Sequence, residues 1–158
     1  MATRAKDLAD RLRAFNNEII AFVEKCTEEE WRKHCPSEDW TVGVVARHIG
    51  AGHYGILDLV KMIIAGEKLP EITERAVIEM ANQHALEHAD CTRKEVLDLL
   101  KTNGAELVDF VAGLDDEKLD RKGYLSLMEK DVSAGQFLEM AILGSGGEHF
   151  NSIKAAGK

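Results

Sequence analysis

Apolar residues return at three- and four-residue steps along most of this chain. Leu8, Leu12, Phe15, Ile19, Phe22 and Val23 make one stripe and predict a helix over residues 6–25. Thr27 and Glu30 have the spacing of a capping box, so a short helix follows, stopped by Cys35-Pro36-Ser37. Thr41 is placed as the N-cap of a second long helix, with Trp40 and Val45 as its hydrophobic staple. That helix runs to about residue 65, where Gly66 is placed as its C-cap, with Pro70 just beyond. Residues 71–89 read as a less regular helix. Thr92 and Glu95 form another capping box and open a third long helix. Its apolar face is Val96, Leu99, Leu100, Leu107, Phe110, Val111 and Leu114, weakened at Gly104. Residues 115–132 read as loop with a short turn. Ser133 and Gln136 form a third capping box, and Val132 with Phe137 a second staple, at the start of a helix running to about residue 153.

No stretch alternates like a half-buried strand. Four long amphipathic helices with mostly short joins predict an all-α, up-down-up-down four-helix bundle. Its longest connection, between helices two and three, is expected to cross over one end. The 158 residues fit one domain, 1–158.

Charge and cysteine usage narrow the partners. The net charge of −8 is spread along the chain, which argues against nucleic acid and against anionic membranes, since both call for a basic face. No apolar run reaches the roughly 18 residues of a membrane span, and residues 1–10 mix charges of both signs without a signal-peptide core. Cys26, Cys35 and Cys91 are odd in number and irregularly spaced, which predicts reduced thiols and a cytoplasmic location.

Candidate chemistry rests on six histidines: His34, His48, His53, His84, His88 and His149. A lone helical histidine is more often a surface or core residue than a ligand, so grouping must decide. His48 shares a helical stripe with Val44, Val45 and Gly52. His53 is five residues on, about 140° further round a regular α-helix, so the two cannot chelate one ion from such a helix. His84 and His88 lie four apart on one face, but Glu87 and Asp90 beside them suit a solvated helix better. His34 has no evident partner. Gly50, Gly52 and Gly55 lie close to His48 and His53, and Gly144, Gly146 and Gly147 precede His149. Glycine costs a helix about 1 kcal/mol relative to alanine, so both clusters call for a pocket or for tight helix packing, with neither favoured.

Trp40-Thr41-Val42-Gly43-Val44-Val45-Ala46-Arg47-His48-Ile49 resembles the start of helix two in the DinB-like superfamily, which includes thiol-dependent transferases and isomerases related to mycothiol-dependent maleylpyruvate isomerase. Asn82, the Thr92 capping box with Glu95-Val96-Leu97, the run from Leu114 to Leu119, Val132-Ser133, and Glu148-His149-Phe150-Asn151-Ser152-Ile153 are similar to later stretches of that family in the same order. The resemblance implies a divalent ion, zinc or nickel, held by a histidine of helix two, falling on His48, and by two residues four apart on helix four. The second of these falls on His149. The first falls on Ser145, where the family has histidine or glutamate, and a serine hydroxyl is a poor zinc ligand. The third ligand therefore stays open among Ser145, His53 and His84.

Three functions follow as expectations. In the first, the chain is a metal-binding enzyme, a thiol-dependent transferase, isomerase or hydrolase that uses a low-molecular-weight thiol and acts on a small-molecule substrate. In the second, it is a metal-free bundle that binds a small ligand beside His48 and His149. In the third, it is an interaction protein that forms a homodimer through an apolar helix face.

Overall fold

The structure, a computed structural model, describes residues 3–156. Helix α1 (Arg4–Lys25) starts where the Thr3 hydroxyl accepts from the Lys6 amide. The short α2 (Glu28–Trp31) carries the Thr27/Glu30 capping box. The second long rod is α3 (Val42–His48), a π-helical turn (Ile49–His53), a 3₁₀ turn (Tyr54–Ile56) and α4 (Leu57–Ala65), with right-handed helical backbone through every junction. It ends at Gly66, whose φ of 76° is the left-handed conformation glycine adopts without strain. Helix α5 (Glu74–Glu87) lies in the connection to α6 (Arg93–Ala112), which opens on the Thr92/Glu95 box. The last rod is α8 (Ala134–Leu138), a π-helical segment (Glu139–Gly146) and α9 (Gly147–Ala156), opened by the Ser133/Gln136 box.

The four rods enclose a core that includes Leu12, Ile19, Val45, Ile49, Ile63, Leu100, Leu107, Leu138, Ile142 and Ile153, all essentially inaccessible. The all-α four-helix bundle, with its long connection between the second and third helices, is what the structure shows. Its rods do not simply alternate in direction. Arg93, at the start of α6, donates to the Cys26 carbonyl just past the end of α1, so these two are antiparallel. The second rod and α6 are parallel: Trp31, whose indole covers Gly43, donates to the Cys91 carbonyl at 2.9 Å, Asn103 donates to the Gly50 carbonyl at 3.0 Å, and Lys61 pairs with Glu106 at 3.8 Å. The fourth rod follows α1: Arg11 pairs with Glu139 at 2.8 Å, and Phe15 and Phe22 both meet the Phe150 ring. The order is up-down-down-up. The reason is the long connection: α5 carries the chain back along the bundle instead of over its end, so α6 begins beside the start of α3.

Two small hairpins replace expected loop. β1 (His34–Cys35) pairs with β2 (Trp40–Thr41), and β3 (Lys122–Leu125) with β4 (Lys130–Ser133), both antiparallel. A short α7 (Asp116–Asp120) precedes the second. Two residues are too few to show alternation, and Lys122–Leu125 and Lys130–Ser133 do not alternate apolar with polar.

Candidate metal centre

The second and fourth rods face each other at their π-helical segments, and the histidines gather there. One nitrogen each from His48, His53 and His149 can be chosen so that all lie within 4.8 Å of one another. Ring centroids are 4.9 Å apart for His48 and His53, and 5.1 Å for His149 with either. The 140° separation expected for a regular helix does not apply, because residues 49–53 are π-helical. In i→i+5 geometry a residue five positions on returns to nearly the same side. The π turn thus makes His48 and His53 neighbours.

Backbone and carboxylate partners fix two of the rings. His53 Nδ1 lies 2.7 Å from the Ala141 carbonyl. A carbonyl only accepts, so Nδ1 carries the proton and Nε2 bears a lone pair, buried and without a partner. His149 Nδ1 lies 3.3 Å from Glu38 Oε2 and donates to it, which leaves its Nε2 free. The Glu38 side chain is only 6% exposed, and its other oxygen, Oε1, is buried without a partner. A buried carboxylate next to an imidazole is stabilised by positive charge on the far side of that ring. Trp40 closes one side, its ring edge-on to His48 at 5.4 Å.

Burial keeps the His48 and His53 rings neutral. Burial lowers the His48 pKa to about 3, with the neighbouring His53, His149 and His84 adding to it. Burial likewise lowers His53 to about 4, against the raising effect of its bond to Ala141. Neutral imidazoles are the form that binds a metal. Three histidine nitrogens would fill three of the four tetrahedral positions that zinc prefers.

His84 stands beside this group, its ring 5.8 Å from that of His48. Its Nε2 accepts from the Arg47 guanidinium at 2.5 Å, so that nitrogen is engaged. Burial, and then Arg47, lower its pKa to about 4. His88 touches His84 alone among the histidines, at 4.9 Å, and His34 is exposed on the first hairpin. Ser145 is exposed, one turn before His149. The glycines divide between roles. Gly50 and Gly146 sit against Leu100 and Phe15 as packing positions, a Cβ at Gly52 would press on the His48 ring at 3.1 Å, and Gly55 and Gly147 face open space. Glu38 escaped the sequence reading: it lies in a turn of the first hairpin, where no periodicity marks it, and its one sequence signal is its place two residues before Trp40.

Residues 12–142 match the family described as the mycothiol maleylpyruvate isomerase N-terminal domain. The chain belongs to that family. The match includes His48 and His53 and stops short of His149. Among solved structures, YfiT from Bacillus subtilis, described as "a probable metal-dependent hydrolase with an unusual four-helix bundle topology", is similar with a TM-score of 0.80 over 99% of this chain and 88% of its own, at 15% identity. At that identity the likeness is one of fold. No curated protein sequence matches the chain. Among the described residues no helix is long and apolar enough to cross a membrane.

Proposed function

We propose that this chain binds a divalent metal ion, zinc or nickel, through His48, His53 and His149, and uses it in chemistry on a small molecule. The observation that carries the reading is the convergence of three nitrogens within 4.8 Å, with the His53 lone pair buried and unpartnered. An orphaned buried lone pair is costly unless something binds it. The all-nitrogen donor set suits zinc or nickel better than magnesium or calcium, which take oxygen ligands. In this reading the third ligand comes from helix two, and His53 takes over the place that Ser145 vacates on helix four.

When bound, such an ion lowers the pKa of a thiol or of water and polarises a carbonyl oxygen. The chain's own residues do the rest. Ala141 and Glu38 hold the protons on the outward nitrogens of His53 and His149, and Trp40 limits water on the His48 side. The family's description refers to a mycothiol-dependent isomerase, which favours a low-molecular-weight thiol as one reactant and transfer or isomerisation as the reaction. The description of YfiT favours hydrolysis. The three cysteines are buried and unpaired, which supports a reducing, cytoplasmic setting.

The test is the metal content of purified, untagged protein by inductively coupled plasma mass spectrometry, beside His48→Ala, His53→Ala and His149→Ala. Near-stoichiometric zinc or nickel that is lost in all three variants is the expected result. Absence of metal after incubation with either ion and a mild wash would overturn the reading, and would leave a metal-free small-molecule pocket as the alternative.

A further inference from the structure

The metal reading depends on a distorted helix, and a distortion needs something to hold it. In an α-helix the Tyr54 amide would donate to the Gly50 carbonyl, four residues back. Here it reaches Ile49 and Ala51 instead. The Gly50 carbonyl, on a buried residue, accepts from Asn103 Nδ2 of α6 at 3.0 Å. Asn103 can reach it because α6 lies close at this point: a Cβ on Gly50 would stand 3.0 Å from the Leu100 side chain.

We propose that Asn103 is a positioning residue for the histidine site: its carboxamide replaces the helical hydrogen bond that Gly50 loses, and so holds the π turn that brings His53 onto His48. This rests on the metal reading above for its purpose, but not for its geometry. Asn103 is set on a different helix from all three histidines. It acts only on backbone. Without its donor, the Gly50 carbonyl is satisfied most simply by the Tyr54 amide. That restores α-helical register and turns His53 to about 140° from His48. The pairing also gives Gly50 a reason. Gly50 permits the close approach of α6, and the polar Asn103 sits between Leu100 and Leu107 on a helix whose neighbouring face is apolar.

The experiment compares wild type with Asn103→Leu, which keeps the volume and loses the donor, and Asn103→Gln, which keeps a carboxamide. The first readout needs no metal: nuclear Overhauser contacts between the His48 and His53 ring protons in metal-free protein. The second is cobalt(II) affinity, followed through the visible spectrum of the bound ion. We expect Asn103→Leu to lose the ring contacts and to weaken cobalt binding at least tenfold. Asn103→Gln should keep the contacts and bind within about threefold of wild type. If Asn103→Leu does not fold, Asn103→Ser, whose hydroxyl is too short to reach Gly50, carries the same test. Retention of the His48–His53 ring contacts in the donor-less variant would overturn the proposal. Wild-type protein that shows the contacts but binds no cobalt or zinc would instead overturn the metal reading, while the ring contacts still decide the role of Asn103.

Discussion

His53 donates its Nδ1 proton to the Ala141 carbonyl across 2.7 Å, and that bond joins the π-helical turn of the second rod to the π-helical segment of the fourth. The bond orients a ring and selects a tautomer together. Under the proposed function His53, and not Ser145, completes the site. Isothermal titration of zinc into metal-free protein should show His53→Ala losing at least a hundredfold in affinity. Ser145→Ala should stay within about twofold, because Ser145 is exposed and a hydroxyl contributes little to zinc. A large loss in Ser145→Ala with little in His53→Ala would return the third ligand to helix four.

Glu38 acts one step further out. Its carboxylate accepts from His149 Nδ1 at 3.3 Å while it is buried among groups that give its second oxygen nothing. Partners of this kind raise the basicity of a ligand and hold its ring, and their loss costs about 10–100-fold in metal affinity. Glu38→Gln should fall in that range for zinc, with thermal stability of the metal-free protein unchanged or raised, since a neutral side chain is cheaper to bury. Unchanged zinc affinity would show that Glu38 has no part in the site.

Most of the scaffold could be read from residue order. Three capping boxes, at Thr27, Thr92 and Ser133, form as their spacing predicts, and Gly66 ends its helix. Capping and amphipathic stripes are local, so they are written within a few residues. What could not be read is non-local. The parallel course of helices two and three depends on where α5 lies, and a connection's path is not encoded in its own periodicity. The nearness of His48 to His53 depends on a π turn, and that turn depends on Asn103, fifty residues away. The clustered glycines marked the right places, but their number could not say which served packing and which a ring.

Gly104 marks a second fixed point of the bundle. A Cβ there would lie 2.1 Å from the Asn16 amide nitrogen, which donates to the Leu100 carbonyl, while Asn16 accepts from the Tyr54 hydroxyl at 2.7 Å. This buried chain ties α1, the second rod and α6 together next to the π turn. Although alanine is the better helix former by about 1 kcal/mol, Gly104→Ala should destabilise the protein by about 1–3 kcal/mol through overpacking and loss of this network. Urea denaturation measures it. A stabilised Gly104→Ala would mean that Asn16 moves aside freely and that the network holds nothing.

The buried histidines also make metal-free protein acid-sensitive. His48 and His53 titrate near 3 and 4 in the folded chain, and near 6.5 once unfolded, chiefly because burial disfavours the charged rings. Between those values the unfolded chain holds more protons than the folded one, so stability rises with pH. The contribution is fully present above the unfolded pKa and is lost as pH falls through 6.5 toward 4. From pH 8 to pH 6 each ring should cost about 0.8 kcal/mol, or roughly 1.5 kcal/mol for the two. Urea denaturation in chelator at the two pH values should show that loss. The double variant His48→Gln with His53→Gln should reduce the pH dependence by the same amount. An unaltered slope in the double variant would mean that neither ring is held neutral by burial, and that the lone pairs assigned to a metal are instead open to protons from solvent.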